Sequence, residues 1–402
     1  MPGLSETIQT TEVPMPMVRL HGTRTYANVA QISAFPRDHI GGSELYAHQL
    51  AARLANRGHR VSVITSNLGS WRSRRERWRQ VRIERCAAPY LLWRVNPTTW
   101  ALPALLRSDA SIFHVHTHYF LTSLQAAMAA KPRRKRLLLH IHGLDTAGMP
   151  HLPGFAQLMR LREEIYDRVV TRWLVGRADA IASVSRRDLA VLAERYKVPP
   201  ERLYWIPNAV DVKQFSIDQK KDGARPTLTF IGRLEPAKGA DLLPAIVDGL
   251  AEESFDFQVE IVGDGSLRRP LEAALGRYNG GVRFLGPVSH ERIPEILARS
   301  RVLLAPSRVE GVPTVCLEAL ASGVPVIAAN VGGTSEIVQD GQTGFLCPPG
   351  DVDAFVARTR YLLDNADVAH RLGRAGPPIV ERDYSWSSIV PRVESVYANL
   401  AT

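Results

Sequence analysis

The sequence predicts an α/β protein of two domains, each built on a parallel β-sheet, that face each other across a deep cleft. The 402-residue chain is longer than the length at which single hydrophobic cores stop growing. Apolar runs typical of buried strands alternate with helical patterns in both halves. Charge divides the chain as well: residues 1–215 carry 31 Lys and Arg against 16 Asp and Glu, and the remainder carries 19 against 24. The basic first half indicates an anionic acceptor or surface as partner.

The start of the chain and the cysteines indicate where the protein works. Residues 1–25 lack the apolar core of a signal peptide, so we expect a disordered leader. No apolar run reaches the ~18 residues of a membrane span. The three cysteines are odd in number and have no metal-type spacing, which is typical of a reducing compartment. A cytoplasmic protein is therefore predicted.

The first domain opens with a strand, a glycine loop, a helix and a second strand. The strands are predicted at 28–35 and 61–65, and the helix at 44–57. The loop between them contains Gly41 and Gly42, which allow the backbone to approach a ligand closely.

An arginine-rich segment with Trp71 and Trp78 follows at 71–85. One interpretation is a solvated charged segment. The other is a contact with anionic lipid or an acidic acceptor, because basic side chains with tryptophan suit a membrane surface. The basic run at 131–136 adds to this charge, although it directly precedes a strand.

Five histidines alternate along two predicted strands, at positions 114, 116, 118, 140 and 142. Alternate residues of a strand share a face, which also suits a metal site, but no Asp or Glu is interleaved and we expect no metal. His116 and His142 end neighbouring parallel strands, where open α/β sheets bind ligands. A histidine there is placed to hydrogen-bond a sugar hydroxyl.

The remaining elements continue the alternation. Strands are predicted at 180–185, 203–208, 228–231, 258–262, 282–285 and 301–305. Helices are predicted at 186–196 and 293–298, and two further helices are predicted to end at 250 and at about 278. A polar stretch at 218–225 is the predicted linker between the domains.

Two basic residues, Arg233 and Lys238, flank a strand-to-helix loop with Gly232 and Gly239 at its bends. Two cations in such a loop can neutralise a diphosphate leaving group as charge builds on it. Either residue alone would suit an ordinary surface position.

A loop and helix at 306–346 carry two carboxylates. Pro313 and Gly323 bound a helix predicted at 313–321. Glu310 precedes this helix and Glu318 lies about 8 Å further along its axis. Unpaired N–H groups between them form an anion site. A nucleotide sugar, with hydroxyls at both ends and phosphates between, fits this pattern, whereas the alternative is two ordinary surface carboxylates.

Four motifs, at 41–65, 206–211, 232–239 and 310–328, resemble those of the retaining, nucleotide-sugar-dependent glycosyltransferases of the GT-B architecture, glycosyltransferase family 4 or "glycosyl transferases group 1". The resemblance covers about residues 28–400. It implies an acceptor-binding Rossmann-like domain at 26–215, a nucleotide-sugar-binding Rossmann-like domain at 216–385, and a C-terminal helix at 386–402 that crosses back to the first domain.

The same resemblance implies roles for particular residues. The catalytic group would comprise His142, Arg233, Lys238 and Glu310. Donor binding would use Gly42, Arg233, Lys238, Glu310, Gly311, Thr314 and Glu318, with Gly332–Thr334 near the sugar, and His116 would lie on the acceptor side. The donor would be a UDP-, GDP- or ADP-sugar. Neither a separate cofactor nor a metal is expected, because the two cations and the helix dipole supply positive charge.

The predicted function is transfer of a sugar, with retention, to an acceptor hydroxyl in glycolipid, polysaccharide or glycoconjugate synthesis. The basic first half favours a lipid-linked or anionic acceptor and a peripheral position on the inner face of a membrane. No nucleic-acid partner is expected. A nucleotide-sugar epimerase and a non-catalytic basic membrane- or nucleic-acid-binding protein remain as alternatives. An NAD enzyme is disfavoured, because the glycines at 263–266 lack the rest of a dinucleotide fingerprint.

Overall fold

The computed structural model describes residues 26–38, 42–92, 96–144, 166–216, 225–252, 256–278 and 280–401. The predicted leader at 1–25 and nearly all of the predicted linker at 218–225 lie outside these ranges. Internal contacts divide the chain into two units. Of the described residues, the first unit contains those up to Leu144, those from 166 to Ile206 and those from Val390, and the second contains Pro207–Ile389. The domain boundaries drawn from the sequence stay predictions.

The first unit is built on an eight-stranded sheet. Its strands are β1 Asn28–Ile32, β2 Arg60–Leu68, β3 Arg74–Trp78, β4 Val81–Ala88, β7 Ile112–His116, β8 Arg136–Ile141, β9 Ala180–Ser183 and β10 Leu203–Trp205, and a separate two-stranded ribbon is formed by β5 Leu91–Leu92 and β6 Asn96–Pro97. The order across the large sheet is β10-β9-β8-β7-β1-β2-β4-β3. All neighbouring strands are parallel except β3, which pairs antiparallel with β4 at the edge.

Helices connect these strands and cover a core of apolar side chains. They are α1 Gly42–Asn56, α2 Leu102–Arg107, α3 Leu121–Ala130, α4 Arg172–Arg177 and α5 Arg186–Arg195, with a π-helical segment at Tyr166–Thr171. Core residues from adjacent strands and helices, among them Ile32, Phe113, Leu139, Ile181, Leu105 and Leu174, are almost completely buried. Parallel strands buried in this way explain the continuous apolar runs in the sequence.

Three predictions for this unit need correction. The first strand ends at Ile32 rather than at 35, because the chain turns towards the loop before α1. His118 lies beyond β7, which ends at His116. The segment at 71–85 is a β-hairpin, β3 and β4, and not only a solvated charged stretch. Its charges are largely paired: Arg85 contacts both Asp38 and Glu76 at 2.9 Å.

The second unit contains a six-stranded, fully parallel sheet. Its strands are β11 Thr227–Ile231, β12 Gln258–Val262, β13 Val282–Gly286, β14 Val302–Ala305, β15 Val326–Ala329 and β16 Gly344–Cys347, in the order β13-β12-β11-β14-β15-β16. Its helices are α6 Val212–Phe215, α7 Leu243–Ala251, α8 Arg268–Leu275, α9 Ile293–Ala298, α10 Thr314–Ala321, α11 Thr334–Ile337, α12 Val352–Asp364 and α13 Ala366–Tyr384. This order is that of a Rossmann fold, so two Rossmann-like units are confirmed.

The strand order creates a switch point in each sheet. At this point the chain stops adding strands to one side of the sheet and continues on the other side. The change falls between β1 and β7 in the first unit and between β11 and β14 in the second. Ligands of open α/β sheets bind beyond the carboxyl ends of the strands at such a point. His116 ends β7, whereas Arg233 and Glu310 follow β11 and β14. The topology therefore brings the predicted site residues to the switch points of their own sheets.

The last helix, α14 Trp386–Ala401, begins in the second unit and continues in the first. Within the first unit, Glu394 of this helix accepts hydrogen bonds from Arg57 at 2.6 Å and contacts His59 at 3.0 Å. These contacts attach the helix to the end of α1 and the start of β2. Among the described residues, no helix has both the length and the apolar character needed to span a membrane.

Helix α13 packs against the helix that carries Glu318, and glycines permit the close approach. A Cβ atom at Gly373 would lie 2.1 Å from the carbonyl oxygen of Gly323, just past the end of α10. We therefore expect Gly373→Ala to destabilise the second unit by about 2 kcal/mol or more through overpacking, lowering Tm by several degrees.

The matched control is Gly276→Ala, since a Cβ atom at Gly276 meets nothing within 4 Å. Its Tm should stay within about one degree of wild type. Differential scanning calorimetry of both variants tests the packing, and equal Tm values would contradict it.

Candidate active site

The loops that follow β11 and β14 are in direct contact at the switch point of the second unit. Gly239 has φ +65°, and a Cβ atom there would lie 1.9 Å from the carbonyl oxygen of Pro306. The backbone N–H of Arg308 donates to the carbonyl of Ala237 at 2.9 Å. The Arg308 side chain also pairs with Asp241 at 2.6 Å. The two loops are thus fixed together by close packing, a backbone hydrogen bond and an ion pair.

An ion pair between two predicted catalytic residues lies within these loops. The Lys238 Nζ atom is 2.6 Å from Glu310 Oε1, and the Ser307 hydroxyl donates to the same oxygen at 2.8 Å. The side chains of Lys238 and Glu310 are 28% and 10% exposed, respectively. Partial burial strengthens the pair, while the remaining exposure keeps the ammonium accessible to a ligand.

A third loop, after β15, closes on the first two. The backbone N–H of Gly333 donates to the carbonyl of Gly311 at 2.7 Å. Gly332 has φ +54°, and a Cβ atom there would lie 1.8 Å from the carbonyl oxygen of Glu310. Only glycine suits a left-handed backbone in such close contact. The structure therefore brings the predicted sugar-side glycines beside Glu310.

Helix α10 begins one residue later than predicted, at Thr314, and Pro313 is its N-cap residue. The loop before it is held by Asn208, whose side-chain amide donates to the carbonyl of Val312 at 2.8 Å. Asn208 belongs to the motif at 206–211, and its anchoring role was not predicted. The N–H groups of the first turn of α10 thus lie directly after the Glu310 loop.

Glu318 is buried within α10, with 6% of its surface exposed. Its Oε1 atom is 2.8 Å from His290 Nε2. The hydrogen bond to this carboxylate raises the pKa of His290, against the opposing effect of burial. No pattern in the sequence indicated His290, because it lies in the loop after β13, outside all four motifs. The two carboxylates therefore each have their own basic partner, Lys238 for Glu310 and His290 for Glu318.

Two other predicted donor residues lie in the loop after β11 and at the start of α1. Arg233 is exposed in the loop after β11, and we find no hydrogen bond or ion pair to its side chain among the described residues. Gly42 is the first residue of α1. Their assigned roles in phosphate binding stay predictions.

In the first unit, four histidines are brought together at the ends of β7 and β8. The rings of His114 and His140 are 5.4 Å apart between centroids, and those of His116 and His142 are also 5.4 Å apart. Nitrogens of the first pair are 3.2 Å apart and those of the second 3.1 Å. His116 ends β7 as predicted, whereas His142 lies one residue beyond β8, which ends at Ile141.

Burial favours the neutral form of three of these imidazoles, His114, His116 and His140. It lowers the pKa of His140 to about 4. Burial, together with the neighbouring imidazoles, holds the pKa of His114 and His116 well below the usual value. The nitrogens of His114, His116 and His140 lie close enough to suggest a metal cluster, at 4.8 Å or less. However, each ring nitrogen of these three histidines already has a hydrogen-bond partner within the first unit.

An exposed aromatic patch lies beside the β3–β4 hairpin. We define it by Trp71, Tyr90 and Trp100, which are 60%, 61% and 57% exposed. The Trp71 ring makes edge-to-face contacts with the other two, at 5.4 and 5.8 Å between centroids. The neighbouring leucines of β5, Leu91 and Leu92, are 43% and 42% exposed. Exposed apolar groups gathered in this way are typical of an interaction surface.

Comparisons with known proteins agree on the family. The "Glycosyl transferases group 1" model matches residues 211–377, and the "Glycosyltransferase Family 4" model matches residues 40–214. The chain is 28% identical to a human subunit of phosphatidylinositol N-acetylglucosaminyltransferase, covering 93% of this chain and 76% of that protein. It is 26% identical to N-acetyl-alpha-D-glucosaminyl L-malate synthase of Bacillus anthracis, covering 91% and 95%.

Solved structures show the same architecture. Sucrose-phosphate synthase from Thermosynechococcus elongatus matches with a TM-score of 0.76 and 22% identity, covering 93% of this chain and 99% of that one. Anabaena HepE in complex with UDP-glucose matches with a TM-score of 0.72 and 18% identity, covering 94% and 100%. The fold and the two family models thus identify a glycosyltransferase of the GT-B architecture. Within that class, the chain belongs to the family 4, or group 1, glycosyltransferases.

Buried neutral histidines make the first unit sensitive to acid. Burial also lowers the pKa of His48 to about 4. Between pH 6.5 and pH 4, therefore, both His48 and His140 bind a proton in the unfolded state but not in the folded state. The unfolded state then binds more protons, so stability is complete above 6.5 and decreases towards pH 4. At pH 5.0, each of these two histidines should lower the free energy of unfolding by about 2 kcal/mol.

Tryptophan fluorescence during thermal unfolding measures this effect, because of the described tryptophans only Trp386 lies in the second unit. We expect a much lower Tm at pH 5.0 than at 7.5. His48→Phe, which keeps a ring but removes one titrating group, should recover part of the difference. A Tm that does not change between the two pH values would contradict the neutral state of the cluster.

Proposed function

We propose that the protein is a retaining glycosyltransferase that moves a sugar from a nucleoside-diphosphate sugar to an acceptor hydroxyl. The observation that carries the proposal is the Lys238–Glu310 ion pair at the switch point of a Rossmann-like sheet, with the buried Glu318 in the helix that follows. This arrangement offers a cation for phosphate and carboxylates for hydroxyls on either side of it. The complex of HepE with UDP-glucose favours a uridine nucleotide as the first donor to test.

The donor is bound through its three chemical parts. The diphosphate lies against Lys238 and Arg233 and the N–H groups at the start of α10. Glu318 accepts hydrogen bonds from the ribose hydroxyls, and two such bonds to one carboxylate are strong because the acceptor is charged. His290 balances that buried charge. The sugar ring lies near Glu310, with the backbone of Gly311, Thr314 and Gly332–Thr334 around it.

Reaction proceeds at the anomeric carbon. Its bond to the diphosphate oxygen breaks, and the acceptor oxygen forms a bond on the same face. The acceptor proton passes to the departing diphosphate. Lys238 neutralises the charge that develops on the leaving group, and Glu310, supported by Ser307, holds the ammonium in position. His142 accepts a hydrogen bond from a substrate hydroxyl, and His116 supports it from behind.

The acceptor is lipid-linked or anionic, and the aromatic patch docks on an anionic membrane surface. Exposed tryptophans and leucines suit the interfacial region, and basic side chains attract anionic lipid. Arg72 and Arg77 are exposed and make no ion pair among the residues that the structure describes. The human relative, which belongs to phosphatidylinositol N-acetylglucosaminyltransferase, bears a name that indicates a lipid acceptor.

Family membership favours transfer over the rival functions. An epimerase would interconvert free nucleotide sugars without an acceptor, whereas a transferase requires one. A non-catalytic basic protein would make no use of the paired Lys238 and Glu310. Substrate assays with and without an acceptor therefore separate these functions.

Two variants separate donor binding from turnover. Glu318→Ala should weaken the binding of UDP, or of whichever of GDP, ADP and dTDP stabilises the wild type, by about 10- to 100-fold, because two hydrogen bonds to a charged acceptor are lost. Lys238→Met should lower kcat at least about 100-fold, because charge on the leaving group is no longer neutralised. Thermal shift with the nucleotide panel and the rate of nucleoside-diphosphate release measure the two effects.

Exposed residues of the same types provide controls. Glu295→Ala and Lys213→Met remove an exposed carboxylate and an exposed ammonium from other parts of the second unit. Both should bind and turn over donor as the wild type does. The donor-site assignment is wrong if Glu318→Ala keeps full nucleotide affinity or if Lys238→Met keeps full kcat.

Membrane docking has its own test. The wild type should co-sediment with vesicles that contain about a third anionic lipid and should be released as salt rises, because the Debye length falls. Trp71→Ala combined with Trp100→Ala should lower the partition coefficient at least about tenfold, because two exposed aromatic side chains no longer enter the membrane interface on docking.

Tyr361→Ala serves as the control, because Tyr361 is an aromatic residue of the second unit with 44% exposure. It should partition as the wild type does. Docking through the aromatic patch is excluded if the double variant binds vesicles normally.

A further inference from the structure

A chain of hydrogen bonds connects the four histidines at the ends of β7 and β8, His114, His116, His140 and His142, through two residues from distant parts of the sequence. The contacts in order are His142 Nε2 to His116 Nδ1 at 3.1 Å, His116 Nε2 to Gln31 Oε1 at 2.7 Å, Gln31 Nε2 to Tyr397 Oη at 2.8 Å, Tyr397 Oη to His114 Nδ1 at 2.7 Å, His114 Nε2 to His140 Nδ1 at 3.2 Å, and His140 Nε2 to the carbonyl oxygen of Ile206 at 2.9 Å. Gln31 lies on β1 and Tyr397 on α14.

The backbone carbonyl at one end fixes the first protons. A carbonyl oxygen only accepts, so the proton of His140 is on Nε2, and its Nδ1 must accept when the ring is neutral. His114 therefore donates from Nε2 and accepts at Nδ1. The Tyr397 hydroxyl must then give its single proton to His114, which leaves its oxygen as an acceptor.

Gln31 transmits this order to the second pair of histidines. Because the Tyr397 oxygen accepts, the group of Gln31 that faces it is the amide NH2, and the carbonyl oxygen of Gln31 faces His116. His116 must donate to that oxygen from Nε2, so its Nδ1 accepts. The donor to this Nδ1 is Nε2 of His142. Every proton in the chain is thus determined by one backbone carbonyl and by the neutrality of the buried rings.

We propose that this chain fixes His142 in the tautomer with its proton on Nε2, and that Gln31 is the positioning residue that transmits the constraint. Nδ1 of His142 then carries a lone pair and accepts a hydrogen bond, so it binds a hydroxyl of a substrate rather than a deprotonated oxygen. The role of His142 towards substrate rests on the proposed function. The tautomer itself does not, since it follows from contacts within the first unit.

Adding a proton to the interior of the chain is costly. A charged His116 or His114 would place two donors against each other at one of its nitrogens, because the other contacts are already oriented. Burial and the neighbouring imidazoles lower the pKa of both. The rings are also packed closely, since Tyr46 contacts His116, His140 and His142 edge-to-face at 5.3 to 5.9 Å. At neutral pH the hydrogen-bonded histidines therefore stay uncharged, and every hydrogen bond in the series is donated in the same direction.

Imidazole nitrogen NMR tests the proposal without substrate. The full-length protein labelled with 15N at histidine is recorded at pH 7.5, and His142 is assigned by the loss of its signals in His142→Gln. The expected pattern is a single neutral tautomer with the proton on Nε2. A proton on Nδ1, an imidazolium, or a mixture of the two tautomers in the wild type would overturn the proposal.

Substitutions at Gln31 test its part in the chain. Gln31→Met removes the acceptor of His116 while keeping the volume, so the His116–His142 pair can point in either direction. The Nε2–H share of His142 should fall from nearly all to roughly half. Gln31→Glu keeps an acceptor towards His116, whether or not the new carboxyl is protonated, and should restore the wild-type pattern. A wild-type pattern in Gln31→Met would overturn the role of Gln31.

Two further variants address folding and packing. Tyr397→Phe allows the side-chain amide of Gln31 to rotate by 180° and should give the same mixture of His142 tautomers as Gln31→Met. It therefore provides the test if Gln31→Met does not fold. Tyr46→Phe keeps the ring that packs on the histidines and should leave the tautomer unchanged. A single Nε2–H tautomer in Tyr397→Phe would contradict the proposed direction of the chain.

Kinetics separate the proposal from the proposed function. With a tautomer mixture in Gln31→Met, kcat should fall about twofold while KM for the donor is unchanged, because donor binding belongs to the second unit. A wild type that shows the Nε2–H tautomer but transfers no sugar would refute the transferase mechanism and leave the tautomer assignment standing. An active wild type with the other tautomer would do the reverse.

Discussion

The ion pair between Lys238 and Glu310 joins the two loops that the rest of the second unit supports. The loops follow β11 and β14, which are neighbours only because the sheet order reverses between them. Glycines at 239 and 332 bring the backbones to contact distance, and Arg308 and Asn208 hold the loops from outside. A partly buried ammonium and carboxylate each need the other, since removing one leaves an uncompensated charge. The attraction between the two charges and the strand order of the sheet thus both favour contact between the two loops.

The first unit has clustered histidines, rather than an ion pair, near its own switch point. Three buried imidazoles, those of His114, His116 and His140, lie beside the half-buried His142, and a charge on any of the buried three would be expensive. The Tyr397 hydroxyl donates to His114 and the Gln31 carbonyl oxygen accepts from His116, so the buried rings remain neutral and ordered. A buried polar network of this kind is stable only when its members are satisfied together. The second unit therefore stabilises charge, whereas the first excludes it.

The β3–β4 hairpin shows why composition alone is an uncertain guide to charge. Seven arginines fall between residues 71 and 85, yet Arg75, Arg85 and Arg74 each contact a carboxylate. Two of these contacts, Arg75 with Glu84 and Arg85 with Glu76, join the two strands, and such cross-strand pairs exist only once the hairpin has formed. The charge that remains for a partner is smaller than the sequence indicates, and the aromatic patch beside the hairpin becomes the more distinctive feature of this surface.

Local signals in the sequence predicted the two Rossmann-like sheets, the helix with Glu318 and the positions of strands β7 and β8, because alternating apolar runs, glycines and prolines can be recognised along the chain. The sequence also indicated Arg233, Lys238, Glu310 and Glu318 through motif spacing. Only the tertiary structure revealed His290 beside Glu318, Asn208 on the Glu310 loop, and the link from Gln31 through Tyr397 to the histidines. These partners lie 28, 104 and 366 residues apart. Contacts over such separations leave no local pattern, since they depend on how strands and helices pack.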